Sequence, residues 1–128
     1  MTAGLADTSL FIARESGRSL DAASVPERLS VSVITIGELH FGVLAAADLG
    51  ARAARLATLT EVLALEPVPV DESVGRAWAR IRVELRASGR RMPINDSWIA
   101  ATALALGVPV VTQDDDYDGL EMVEVIKV

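Results

Sequence analysis

Cysteine is absent from the 128 residues, so neither a disulfide nor a thiolate metal site is available to this chain. Histidine and lysine each occur once, as His40 and Lys127; every other basic side chain is an arginine. The N-terminus reaches Asp7 within a few residues and shows no basic-then-apolar signal segment. The longest uncharged run is broken by Gly107 and Pro109 and is too short to span a bilayer, so a cytoplasmic protein with no membrane partner is expected. Positive charge is also short. A net charge of −6 argues against bulk, non-specific binding of nucleic acid, although local arginines or bound cations could still serve a nucleic-acid enzyme. Internal repeats and low-complexity stretches are missing. What remains is a chain that is 51% hydrophobic and long enough for one domain, residues 1–128, with a real core.

The most informative stretch runs from Met92 to Tyr117. Between Arg91 and Asp114 it carries a single charge, Asp96. Trp98 to Leu106 reads as a helix apolar on nearly all faces, hence buried. Gly107 suits the left-handed residue that closes a helix, and Pro109 cannot continue it. Val108 to Val111 then reads as a strand buried on both faces, as in parallel sheets. This helix–turn–strand unit has one acid at its head and three, Asp114, Asp115 and Asp116, at its tail. Charges beside so much apolar surface are costly unless something compensates them.

The rest of the chain alternates in the same manner. Gly4 to Ala6 predicts a first strand, followed by a helical segment from Leu10 that Thr8 or Ser9 would cap. Leu29 to Ile34 predicts a second strand, and Thr35 opens a helix to about Ala46. Asp48 caps another helix with Leu56, Leu59, Val62 and Leu63 at helical spacing. Glu66 to Val70, with two prolines, predicts a short edge strand. Asp71 caps a long helix to about Ser88, striped by Val74, Trp78, Ile81 and Leu85. Arg76 and Arg80 flank the stripe on one side, Arg82 and Arg86 on the other, and Glu121 to Val125 predicts the last strand. Strands alternating with helices imply an α/β fold around a mainly parallel sheet, with the ligand site beyond the carboxyl ends of the strands where strand order reverses.

Four acids fall where that rule points: Asp7 after the first strand, Glu38 in the helix after the second, Asp96 at the head of the core helix, and Asp114 just past Thr112. Each has a structural explanation. Glu38 three residues after Thr35 fits a capping box, Asp96 fits an N-cap, and Asp114 to Gly119 fits an Asx-type turn. Independent caps, however, need not gather at one sheet edge. Carboxylates brought together repel and gain protons, and a hard divalent cation removes that cost. Acids without a catalytic His or Cys therefore point to metal-assisted hydrolysis of a phosphodiester.

Asp7-Thr8-Ser9, the segment from Ser32 through Thr35 to Glu38-Leu39, the run Ile94-Asn95-Asp96 through Thr102 to Leu104, and Val111-Thr112 through Asp114 and Asp116 to Tyr117 resemble the motifs of PIN-domain ribonucleases. The likeness is strongest to the VapC toxins of VapBC toxin–antitoxin modules, and it covers nearly the whole chain in the family's order and spacing. It implies a three-layer α/β/α sandwich and Mg²⁺- or Mn²⁺-dependent cleavage of RNA. The family's first three acids map onto Asp7, Glu38 and Asp96. The fourth maps onto Asp114 with Asp116 as helper, although three consecutive aspartates blur that slot and Tyr117 stands where Phe is commoner. By the same resemblance Asp7, Asp96, Asp114 and Asp116 would hold the metal, with the hydroxyls of Ser9 and Thr112 in support. A VapB-type antitoxin that blocks the site, and a homodimer, are the partners it implies.

Other residues invite simpler explanations. His40 fits a helix surface, and Trp78 and Trp98 fit core stripes. The arginines from Arg76 to Arg91 fit a solvated helix face with a Glu72–Arg76 ion pair, leaving Arg90 and Arg91 as candidates to meet RNA phosphates. Gly37 and Gly42 inside a helix point to close packing or a dimer contact. Competing functions fit the residues less well. A phosphorelay receiver needs a lysine after a late strand, and Lys127 is penultimate; a haloacid-dehalogenase-type phosphatase needs an aspartate where Ser9 stands. A non-catalytic PIN-like binding module would be marked by missing acids, and all are present.

Overall fold

The computed structural model describes residues 1–128. Four strands, β1 (Ala3–Ala6), β2 (Arg28–Val31), β3 (Val110–Thr112) and β4 (Val125–Lys127), form one sheet in the order β2-β1-β3-β4, and every pairing is parallel. Five helices surround it: α1 (Thr8–Ser16), α2 (Val33–Leu44), α3 (Leu49–Leu63), α4 (Glu72–Ser88) and α5 (Ile94–Leu106).

The strands divide their side chains by period two between two cores. Leu5 and Val110 face a core with Ile81 and Leu85 of α4 and Ile99 and Ala103 of α5. Ala6, Val31 and Val111 face the opposite core, with Leu10 and Phe11 of α1, Leu39 and Val43 of α2, and Leu59 and Val62 of α3. The result is a three-layer α/β/α sandwich. At Gly4 a Cβ would come within 2.6 Å of Val111 Cγ2 and 3.1 Å of Pro26, so only glycine lets β1 lie this close to its neighbours.

The structure departs from the local signals at five places. Asp7, not Thr8 or Ser9, is the N-cap of α1. Ser32 caps α2 by accepting from the Ile34 amide at 3.0 Å, which ends β2 at Val31 and removes the capping box expected of Thr35 and Glu38. Pro93 occupies the N-cap position of α5, so Asp96 stands inside its first turn. The Glu66–Val70 stretch makes only one parallel bridge, Ser32 to Val68, because Pro67 and Pro69 have no N–H to donate on either side of it. The last strand begins at Val125, since Tyr117 to Val123 curls through successive turns that tuck Leu120 and Val123 into the core. No helix is long and apolar enough to cross a membrane.

Candidate functional site

Strand order reverses at β1: the chain leaves it for β2 on one side, while β3 lies on the other. Asp7 follows β1 directly into the crevice this opens, and the Asp7 amide bonds the Val111 carbonyl at 2.8 Å. Only 2% of Asp7 is exposed, and its carboxylate is fully engaged. Oδ1 accepts from the Tyr117 hydroxyl at 2.9 Å. Oδ2 accepts from Thr112 Oγ1 at 2.9 Å and, as the N-cap bond, from the Ser9 amide at 3.4 Å. Thr112 Oγ1 in turn accepts from the Asp114 amide at 2.9 Å, and Ser9 Oγ lies 3.2 Å from Thr112 Oγ1 and accepts from the Gln113 amide at 3.0 Å. The start of α1 and the end of β3 are thus stitched together around one buried acid.

Glu38 reaches the same region from the second turn of α2, half-buried. Its Oε1 accepts from Thr8 Oγ1 at 2.7 Å, and Thr8 Oγ1 also lies 2.9 Å from Thr35 Oγ1. Asp96 approaches from the first turn of α5. Its pKa is raised from 3.8 to about 7, first by burial, then by a hydrogen bond with Asp116, then by the charges of Asp7, Asp116 and Glu38. Asp114 is raised too, by burial and by Asp7 and Asp116, with Arg18 pulling the other way. Burial first, and then the charge of Asp7, push the Tyr117 hydroxyl far above its ordinary range, so it stays a neutral donor.

Four elements therefore bring Asp7, Glu38, Asp96 and Asp116 within electrostatic reach of one another, with Asp114 beside them. Asp115 is held apart: Lys127 of β4 pairs with Asp115 and, at 2.7 Å, with Asp118. As they stand, no three acidic or imidazole side chains are close enough to grip one ion directly between them. Arg90 and Arg91 lie outside the acidic crevice; Arg90 donates to the Asp118 carbonyl, and Arg91 is exposed. His40 is exposed on α2, and Trp78 and Trp98 stack against each other with centroids 4.5 Å apart. Nothing within the chain crowds Gly37, and only the Arg55 stem approaches Gly42, at 3.7 Å, so no internal close packing explains either. A groove beside Glu38, about 740 Å³, runs between α1 and α2 past Ile12, Phe41, Arg55 and Asn95.

Two contacts are not legible in the sequence. Tyr117 stands out there only as a substitute for Phe, yet its hydroxyl holds Asp7. Thr8 is a cap candidate there, yet it tethers Glu38 to α1. The signal in the sequence is a hydroxyl directly beside an acid, Thr8 after Asp7 and Tyr117 after Asp116, which once buried must find a partner.

Comparison with known proteins agrees with this architecture. The PIN domain profile matches residues 5–121. Ribonuclease VapC5 of Mycobacterium tuberculosis is 54% identical over 98% of this chain and 96% of its own length, and Ribonuclease VapC4 of the same organism is 48% identical over 97% and 95%. Among solved structures, VapBC-5 from M. tuberculosis superposes with a TM-score of 0.92 at 50% identity over all of both chains. FitAcB from Neisseria gonorrhoeae superposes at 0.74 with 27% identity over 94% of each. With most of its length inside the profile and close relatives spanning nearly all of it, the chain belongs to the PIN-domain family, among the VapC-type proteins.

Proposed function

We propose that this protein is a metal-dependent endoribonuclease, the toxin of a toxin–antitoxin pair, and that it hydrolyses RNA phosphodiester bonds at the acidic crevice. The ribonuclease names of its relatives support the reaction class. The observation that carries the site is Asp96: burial and the convergence of Asp116, Asp7 and Glu38 hold its proton to about pH 7, a penalty that a bound cation would relieve.

The donor set fits Mg²⁺ or Mn²⁺ in one respect and limits it in another. All the donors are hard carboxylate oxygens, but no three stand together, so the ion would be held by one or two of Asp7, Asp96, Asp114 and Asp116 with waters completing its shell. Bound there, it would supply charge neutralisation at the phosphoryl group and an activated water. The protein's own residues arrange the rest. Tyr117, Thr112 and the Ser9 amide keep Asp7 in one orientation, and Thr8 keeps the Glu38 carboxylate over the crevice. Asp96, with a pKa near neutrality, is suited to accept or release a proton there. Lys127, by occupying Asp115 and Asp118, leaves Asp114 and Asp116 as the members of the aspartate run turned to the site.

Complexes of the VapBC type among the structural relatives support a VapB-type antitoxin as partner. The groove beside Glu38 offers it a seat, since Ile12 and Phe41 on its walls are 47% and 72% exposed next to the acids. A homodimer is expected as well, and light scattering of the purified chain tests it.

The decisive experiment is Asp7→Asn. Cleavage of total RNA in Mg²⁺ or Mn²⁺ should fall by at least a hundredfold in a variant that still folds, since Asn keeps an N-cap oxygen and relieves repulsion among the acids, which offsets the loss of one acceptor for Tyr117 or Thr112. Undiminished cleavage by a folded, cleanly purified Asp7→Asn protein overturns the assignment.

A further inference from the structure

Away from the acidic crevice, at the C-terminal end of α4, four arginines surround one open hollow. Arg82, Arg86, Arg90 and Arg91 line a cavity of about 600 Å³ whose remaining walls are Val83, Leu85 and Met92. None of the four forms an ion pair; the chain's salt bridges use Arg14, Arg76 and Lys127 instead. Four like charges around one hollow repel, and Arg82 and Arg86, one helical turn apart, slightly destabilise α4. The favourable field at a helix C-terminus accounts for Arg86 in the last turn but not for Arg90 and Arg91 beyond it. Arg82 is partly explained by its place over the Trp78 ring, 5.5 Å from the centroid. In a chain of net charge −6, a third of whose twelve basic residues gather here, that concentration lacks a purely structural reason.

We propose that this hollow is an anion subsite that holds backbone phosphates of the RNA strand flanking the scissile bond. Three observations select that occupant. All four cations are guanidinium groups, whose planar fork matches phosphate oxygens bidentately. Val83, 68% exposed beside the arginines, offers an apolar face to a ribose or base, with Leu85 and Met92 closing the floor beneath. The hollow lies outside the crevice but touches the loop that carries the aspartates: Arg90 is bonded to the Asp118 carbonyl, and Arg91 precedes Asp96 by five residues, no more than about 17 Å of chain. A crevice built of carboxylates repels a polyanion, and this neighbouring patch supplies the attraction the crevice lacks. The inference rests on the ribonuclease reading for the identity of the strand.

The test measures binding apart from hydrolysis. In the Asp7→Asn background, affinity for a fluorescent single-stranded RNA is titrated from low to moderate salt, with and without Arg82→Gln/Arg86→Gln. The expected result is at least a tenfold weaker complex at low salt, and a salt slope shallower by about 1.4 for two lost phosphate contacts. Arg76→Gln/Arg80→Gln on the other flank of α4 removes the same charge and should change neither by more than about twofold. Should the glutamine pair fail to fold, Arg82→Lys/Arg86→Lys retains the charge and should weaken binding by a smaller factor with the slope nearly kept. Equal weakening by both glutamine pairs reduces the effect to net charge and overturns the subsite. Unaltered RNA affinity also overturns it, as does loss of a co-expressed protein partner with RNA binding intact. Failure of the nuclease reading is seen separately, as an absence of cleavage by the parent protein whatever the arginines do.

Discussion

At the scale of single residues, the crevice is a set of acids whose protonation is linked to folding. Asp96 holds its proton more tightly in the folded chain than at its ordinary pKa of 3.8. Its contribution to stability is therefore complete below about pH 4 and is lost as the pH rises toward and through 7. Without divalent metal, the thermal midpoint should fall between pH 5 and pH 8, and Asp96→Asn should flatten that fall; a slope unchanged by the substitution would place its origin elsewhere. Tyr117 gives a second expectation. The ring is fully buried and its hydroxyl donates to a carboxylate, so Tyr117→Phe should keep the fold and lower stability by about 1.5–3 kcal/mol in urea denaturation. A loss below about 0.5 kcal/mol would mean that Asp7 is adequately held by Thr112 and Ser9. The acids themselves were legible from type and spacing, because carboxylates bordering apolar segments need a reason. The hydroxyls of Thr8 and Tyr117 were not, because their partners lie 30 and 110 residues away along the chain.

At the scale of elements, legibility followed local chemistry. Asp48 and Asp71 cap α3 and α4 as expected, and Gly107 closes α5 in the left-handed conformation, since each needs only its immediate neighbours. Boundaries decided by competition between local options were misplaced. Ser32 and Thr35 could each cap α2, and Ser32 prevails because β2 must stop where its pairing with β1 stops. Alternation from Glu121 to Val125 reads as strand, yet Val123 serves the core from a turn and pairing waits for Val125. One close approach between elements can be tested directly. Gly4→Ala would drive a methyl into Val111 and Pro26, forcing β1 from β3 at the strand pair that carries Asp7 and Thr112. Overpacking of this kind costs about 1–3 kcal/mol, and cleavage should drop more than stability alone explains at a temperature where the variant is fully folded. Full activity in a destabilised Gly4→Ala protein would show that strand spacing does not set the geometry of the acids.

At the scale of the whole molecule, an α/β fold around a mainly parallel sheet was legible from alternating strands and helices with buried Val-rich runs, and the sandwich from the family resemblance, whereas the order β2-β1-β3-β4 was not, because it depends on pairings between distant strands. Which acids meet was legible through the rule that sites lie at the reversal of strand order and through the family's motifs. The metal prediction belongs here, since ligand binding stabilises the whole folded state. Mn²⁺ or Mg²⁺ at a hundred times its dissociation constant should add about 2.7 kcal/mol, read as a higher thermal midpoint, and the rise should be larger at pH 8 than at pH 5 because Asp96 is then ionised. No shift at any metal concentration would remove the cation from the crevice.

The Lys127 contact carries a temporal consequence. Synthesis is vectorial, and N-terminal parts of a chain are free to organise before later ones exist. The strand that bears Lys127 is translated after every acid in the crevice, and its pairing with Asp115 and Asp118 fastens the outer side of the aspartate loop to the sheet edge. A nascent chain halted before residue 125 would possess all the carboxylates and the Tyr117, Thr112 and Arg90 bonds to the loop, yet lack the outer clasp that turns Asp115 and Asp118 away from the crevice.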